Sequence, residues 1–417
     1  MKMKKTLMSA VALTAIIGTA NVATASEDGL NIFNNAKFSG EIRPRFEYAN
    51  KENGADGASA FTARTRLAIA TDSLAEVDGL NAKIGVTTVN NFGYTNYKDG
   101  AGQGNEYELI LDPQQAMLSE AYLSYTVADT TLLAGRSHVN LDDQRFIGTV
   151  GWRQMERAYD TVTVINKSLE GLTVLGSYVY GFQGVSAGPT ADTASVLLNV
   201  NYKVNDAIVV SGFSYMLANI HDTYGLRVTG KAPVGDIKLN YALSYAMQAD
   251  NTMQYGSGDV TNSIDASYYD IAVGANMSGI IVGAEYEVLG KAANATDADG
   301  FSTPLATLHK FQGFADEFLG QTKGAGGNKN GLKDMSVKAG YKTKGFGKAL
   351  VWFHKFDAET GANSDLGSEI DAVYANKIPG VKGLNGLLKA AYFMGGDAAG
   401  THGLDNGKLW AQLDYKF

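Results

Sequence analysis

Four arginines in two neighbouring stretches are the residues of this sequence best placed to do chemistry. Arg43 and Arg45 are two positions apart, and so are Arg64 and Arg66. Side chains two positions apart point to the same face of a strand, and the short connection 49–60 favours a hairpin that sets the two pairs side by side. Guanidinium groups stay charged at any working pH. We therefore expect a ladder of four positive charges that faces water and attracts anions.

Four acids show the same spacing late in the chain, which gives the ladder a counterpart. Glu285 and Glu287 form one pair, and Glu369 and Asp371 form the other. If both sets line one pore from different parts of its wall, they set up a transverse field that favours anions beside the arginines. The alternative is that the arginines are ordinary lumen charges, neutralised by neighbours such as Glu41 and Glu47.

Motifs for enzymatic chemistry are not found in the sequence. The five histidines form no HExxH, no serine stands in a GxSxG elbow, and no phosphate-binding loop is present. There is no cysteine for a disulfide or a thiolate metal site. We expect no enzyme, no cofactor, no bound metal and, for a chain with a net charge of −8, no nucleic-acid partner.

The last ten residues, 408–417, show what kind of element carries these charges. Apolar and polar residues alternate there strictly, and the chain stops on an aromatic residue, Phe417. A period of two is typical of a strand with one apolar and one wet face. An outer-membrane barrel needs such a last strand to pair with its first, because no unpaired edge can face lipid. With Tyr415 and Phe417, this ending resembles the C-terminal assembly signal of bacterial outer-membrane proteins, which the barrel assembly machinery reads.

The first 25 residues have the plan of a cleaved secretory signal. Lysines near the start precede the apolar run 7–20, and Ala23-Thr24-Ala25 supplies the small residues of a cleavage site. The run is too short to cross a bilayer as a helix. We predict cleavage after Ala25, which leaves 26–417 as one barrel domain exported to the bacterial outer membrane.

Alternating segments recur along the chain and predict an all-β fold of about eighteen antiparallel strands. Arginines in mid-strand on one face, with tyrosine and phenylalanine at the ends of the other, are typical of a transmembrane barrel with a wet lumen. The predicted strands lie near 38–48, 61–70, 80–89, 117–127, 131–139, 157–166, 171–181, 194–204, 207–217, 223–231, 236–247, 267–277, 280–289, 333–342, 347–356, 367–377, 386–394 and 408–417.

The lengths of the connections agree with a barrel inserted in one orientation. Odd-numbered connections such as 90–116 and 290–332 are long, and even-numbered ones such as 205–206 and 278–279 are short. Only the odd connection 218–222 departs from the pattern. Short periplasmic turns and long extracellular loops are the rule in such barrels when both chain ends lie in the periplasm.

Two long connections have the composition of pore-narrowing segments. The segment 140–156 holds apolar residues together with Arg145 and Arg153, so we predict that it folds into the barrel and places these arginines in the pore. The alternative is a loop packed on the rim or against lipopolysaccharide. The segment 290–332 contains four phenylalanines and is a second candidate; otherwise it is an exposed loop. Arg136, on a predicted strand, should also face the lumen.

Three segments resemble the alginate export family of outer-membrane porins. They are GRSHVNLDDQRFIGTVGWRQ at 135–154, PLATLHKFQGFADEFL at 304–319 followed by 331–334, and 349–354 together with 367–371. Members of this family are eighteen-stranded, so the resemblance implies the strand number that the alternation predicts. It also implies infolding of 140–156 and a channel function.

The sequence as a whole predicts a porin: a passive, water-filled channel for small hydrophilic solutes with a mild anion preference. One alternative is a channel selective for polyanionic sugars, as the resemblance implies. A structural or adhesive barrel is another. The expected partners are outer-membrane lipid and lipopolysaccharide, the barrel assembly machinery and the solutes. Whether one barrel stands alone or three form a homotrimer is left open.

Overall fold

A computed structural model describes residues 36–256, 264–294, 300–319, 329–361, 364–397 and 403–417. The predicted signal peptide and its cleavage site after Ala25 lie outside the described residues. Two single 3-10 turns, Leu74–Glu76 and Leu308–Lys310, lie among these residues. None of the described helices is long and apolar enough to cross a membrane.

Eighteen β-strands make up the fold, and they follow one another along the chain. They are β1 Lys37–Lys51, β2 Ala58–Ala70, β3 Leu80–Asn90, β4 Gln115–Val127, β5 Thr130–Ser137, β6 Ala158–Asn166, β7 Leu172–Gln183, β8 Ala191–Asn205, β9 Ile208–Leu217, β10 His221–Val234, β11 Ile237–Ala249, β12 Ala266–Met277, β13 Ile280–Leu289, β14 Leu332–Thr343, β15 Gly347–Asp357, β16 Asp365–Lys377, β17 Leu384–Gly395 and β18 Asn406–Lys416.

Each strand pairs antiparallel with its neighbours in sequence, and β1 pairs with both β2 and β18. The sheet is therefore a closed barrel. The closing seam extends to the end of the chain, where Gly40 and Phe417 exchange two backbone hydrogen bonds of 2.9 and 3.1 Å. The Phe417 ring lies directly over Gly40, a position where any side chain would collide with it. Closure confirms the predicted pairing of the last strand with the first.

Alternation along each strand separates an apolar outside from a polar inside. In β11, Leu243 and Tyr245 are 46% and 51% exposed on the outer face. The residues that alternate with them, Ser244 and Ala246, are buried on the inner face. The same division in β1 places Phe46 outside and Arg45 inside. An apolar outer face with a polar inner face is the arrangement expected of a barrel in a bilayer.

The connections also follow the predicted pattern. The short turns at one end include 128–129, where both residues have positive φ (44° and 60°), as a tight hairpin with the right-handed twist of its strands requires. The longest connections, 91–114, 138–157 and 290–331, are all at the other end. The predicted loop 49–60 is shorter than expected, because β1 continues to Lys51 and β2 begins at Ala58.

Candidate functional site

The connection 138–157, called the first inner loop below, lies inside the barrel against β1 and β2. The backbone carbonyl of Gly151 accepts a hydrogen bond from Arg43 at 3.0 Å, and that of Trp152 accepts one from Arg45. The Gln154 side chain donates to the Thr62 hydroxyl at 2.9 Å. These contacts confirm the predicted infolding, and they show that wall arginines hold the backbone of the loop.

The segment 300–319, called the second inner loop, lies inside the barrel against strands from β13 through β18, and Glu317 pairs with Lys51 of β1. Phe301 and Phe318 are buried, with exposures of 0% and 2%. The backbone N–H of Phe314 donates to Asp371 at 3.0 Å, and that of Ala315 donates to Glu369 at 2.7 Å. The loop is therefore fixed to β16 through the two acids that the sequence predicts to line the pore.

The two inner loops also contact each other. The Gly148 N–H donates to the Leu305 carbonyl at 2.8 Å, and the Thr307 N–H donates to the Gln144 carbonyl at 3.0 Å. The Trp152 indole stacks on the His309 ring with 3.3 Å between centroids. The two loops thus form one connected structure that narrows the lumen from two sides.

Arg153 links this structure to the wall and to a third connection. Its guanidinium lies 3.1 Å from Glu47 of β1, 3.1 Å from Asp316 of the second inner loop and 3.9 Å from Asp112 of the connection 91–114. Burial disfavours the charged form, but Glu47, Asp112 and Asp316 outweigh it and raise the pKa of Arg153. Arg153 is therefore a permanent charge that connects three loops.

Arg145 makes a similar connection to the far wall. Its guanidinium pairs with Glu287 of β13 and donates to the Thr303 hydroxyl at 2.8 Å. Burial opposes the charge on Arg145, yet the attraction of Glu287 raises its pKa. Neither Arg145 nor Arg153 is an exposed pore charge, because each is at least 96% buried against acids.

The four ladder arginines face the lumen side of β1 and β2, and each has at least one acidic partner. Arg43 pairs with Asp414 at 2.9 Å, and Arg45 with Asp112 at 3.4 Å. Arg64 pairs with Glu41 and Glu156, and Arg66 pairs with Glu156. Arg45 and Arg64 are 2% and 1% exposed. These contacts agree with the alternative in which the arginines are ordinary lumen charges that neighbouring acids neutralise. They also show that the ladder helps to hold the first inner loop.

Among the described residues, Arg136 and Glu285 make no ion pair or hydrogen bond that joins them to the inner loops. Arg136 pairs with Asp160 on the neighbouring strand β6 at 2.7 Å. Glu285 lines a polar cavity of about 350 Å³ between the second inner loop and the wall. Asp143, Arg227 and Lys310 line the same cavity.

Several residues of the site were not singled out from the sequence. Asp112 is the clearest example, since it bonds Arg45 and also accepts the Gln154 N–H at 2.8 Å. Its position after Ile110 and Leu111 in a loop gave only a weak signal of burial. His309 is a second example: burial lowers its pKa well below the usual value, and its ring lies between Trp152 and Asp316. Among the described residues, no group of three or more His, Asp and Glu side chains could hold a metal ion.

The fold is shared with solved outer-membrane proteins at low sequence identity. OccK8 (OprE) of Pseudomonas aeruginosa matches with a TM-score of 0.70 and 15% identity, over 93% of this chain and 99% of that one. OpdO of the same organism has a TM-score of 0.70 and 13% identity, over 93% and 98% of the chains. OccAB3 of Acinetobacter baumannii has a TM-score of 0.70 and 12% identity, over 92% and 99%.

These likenesses show the eighteen-stranded barrel fold of porins. No protein-family model matches the sequence, and no curated protein matches it. The resemblance to the alginate export family is therefore supported only as far as this porin fold.

Proposed function

We propose that the chain is a bacterial outer-membrane porin that lets small hydrophilic solutes diffuse through its lumen. The observation that carries this proposal is the polar, charged interior of a closed barrel whose outer face is apolar. Two inner loops narrow that interior without adding a separate domain. In the cell, outer-membrane lipid and lipopolysaccharide would surround the barrel, and the assembly machinery would insert it after cleavage of the signal peptide.

We further propose a mild anion preference. The ladder Arg43, Arg45, Arg64 and Arg66 lies on β1 and β2, whereas the acids lie on other parts of the wall, Glu285 and Glu287 on β13 and Glu369 and Asp371 on β16. Because the arginines are paired with acids, their field is reduced, and strict exclusion of cations is not expected.

Conductance in a planar bilayer tests the proposal. Purified protein should form open channels whose zero-current potential in a salt gradient indicates a moderate preference for chloride over potassium. Replacing Arg45 and Arg64 together by Gln should shift this potential toward cations and keep or raise the conductance, because both arginines also hold the first inner loop. An unchanged potential in folded protein would remove the ladder from the selectivity mechanism.

The same experiment separates the proposal from the two alternatives. An adhesive or structural barrel would show no open channel. A channel selective for polyanionic sugars would be blocked by alginate oligomers at concentrations that leave the current through a general porin unchanged. A homotrimer would insert in steps of three equal conductance units, and a single barrel in steps of one.

A further inference from the structure

Three lysines lie close together on the inner face of β14 and β15, near the turn 344–346. The outer face of β14 carries Met335, Val337 and Tyr341, which are 43–56% exposed, so Lys338 and Lys342 point inward. In β15, Lys348 is on the same face as the buried residues Leu350 and His354 and therefore also points inward.

The strand register sets two of these lysines directly against each other. Lys342 of β14 is opposite Lys348 of β15. Like charges in directly opposed positions destabilise a sheet. Lys338 is two alternation steps from Lys342, and its side chain lies over Gly283 of β13, where a Cβ would be 2.7 Å from the Lys338 Cε. Lys342 and Lys348 thus form an opposed pair, and Lys338 lies on the same inner face of β14 and leans toward β13.

No acid pairs directly with these lysines as acids pair with the arginines, although Lys338 lines the cavity that Asp270, Glu285, Glu287 and Asp334 also line. Among the described residues, no carboxylate oxygen lies within 4.0 Å of the ammonium groups of Lys338, Lys342 and Lys348. The charge of Glu285 interacts with that of Lys338. Lys342 and Lys348 are exposed, and Ala375, which pairs with Lys348 on β16, leaves the space beside them open.

We propose that Lys338, Lys342 and Lys348 form an anion-binding patch at the short-turn mouth of the lumen, which holds small multivalent anions such as phosphate esters or dicarboxylates. The inference rests on the proposed channel function and adds to it a site and a solute class. An anion carrying two or more charges relieves the repulsion between the opposed lysines, whereas chloride does so only in part. This positive charge lies on β14 and β15, away from the arginines of β1 and β2.

The test uses inorganic pyrophosphate as the probe and chloride current through single channels as the readout. The variant K342Q/K348Q removes the opposed pair. Its control, K167Q/K382Q, removes two exposed lysines from two other short turns, between β6 and β7 and between β16 and β17, so both variants lose the same charge at the same end of the barrel. Heat-modifiable migration on a gel confirms that each variant is folded.

Pyrophosphate should block the unsubstituted channel at lower concentration from the short-turn side than from the long-loop side. With charges about 10 Å apart in 0.1 M salt, loss of two lysines should weaken this block about fivefold and lower the chloride-to-potassium permeability ratio about twofold. The control should retain both values. Equal block in K342Q/K348Q and unsubstituted protein, or an equal loss in the control, would overturn the patch. No current in any of the three proteins would instead contradict the channel function itself.

Discussion

Replacing Arg153 with glutamine should release the inner loops while the barrel stays folded. The side chain is 5% exposed and lies against Glu47, Asp112 and Asp316. Removing one partner of a buried ion pair costs about 3–5 kcal/mol, because the remaining charges are left without compensation. This cost weakens the docking of the loops and not the barrel, because the hydrogen bonds between strands do not depend on Arg153. At about 1.4 kcal/mol for each factor of ten, the population of the released state rises by roughly two to three and a half orders of magnitude.

The assay is single-channel recording of the R153Q variant, with melting of the barrel followed by circular dichroism. We expect a larger mean conductance and strong current noise from moving loops, with little change in melting temperature. Lys83→Gln is the matched control: Lys83 also pairs with an acid, Glu120 at 2.9 Å, but on the wall and with 29% exposure. A quiet channel of normal conductance in R153Q would refute the conclusion that Arg153 holds the loops, and a large fall in melting temperature would place its role in the barrel.

Three further predictions concern other parts of the molecule. Leu243→Arg should destabilise the barrel by about 2–4 kcal/mol, because the side chain would enter lipid, whereas Ala242→Arg on the lumen side should be tolerated; equal urea midpoints would reverse the assignment of faces. Phe417→Ser should lower the amount of heat-modifiable protein in the outer membrane far more than Lys416→Ser, and equal amounts would contradict an assembly role for the terminal aromatic. Burial holds the pKa of His309 well below its usual value. In the released loops His309 therefore binds a proton more readily than in the docked loops, and docking should weaken as the pH falls below about 6.5. Tryptophan fluorescence should change in that pH range in the unsubstituted protein and not in the His309→Gln variant. Identical titrations of the two proteins would show that His309 does not cause the pH dependence.

Much of the barrel could be predicted from the sequence because its strands repeat a local rule. In 408–417, every second residue is apolar, and the structure places Leu409, Leu413 and Phe417 on the outside at 44–52% exposure. Strand identity, face and the pairing of first with last strand follow from such local periodicity and from the requirement that no edge faces lipid. The alternation of long and short connections then predicts which end of the barrel carries the long loops.

The contacts inside the lumen could not be predicted in the same way. The arginines were expected to face water, yet Arg45 bonds Asp112 and the Trp152 carbonyl, both of which belong to connections far along the chain. Whether a lumen charge is free or neutralised depends on where loops from other strands settle, and no periodic pattern encodes that. The lysine pair Lys342 and Lys348 illustrates the opposite case, because its register follows directly from a short turn.

The seam between β1 and β18 has a consequence for how the protein is made. Arg43 bonds Asp414, and Arg45 bonds Gln412, across 371 and 367 residues of sequence. One edge of β1 therefore stays unpaired until β18 has been made and has docked. An unpaired strand edge makes the unclosed chain prone to aggregation. A closure shifted by one residue would turn every side chain of one strand to the opposite face and leave these arginines without their partners. Only the correct register gives Arg43 and Arg45 their partners on β18. The side chains that favour the correct closure of the barrel are therefore the same ones that hold the first inner loop.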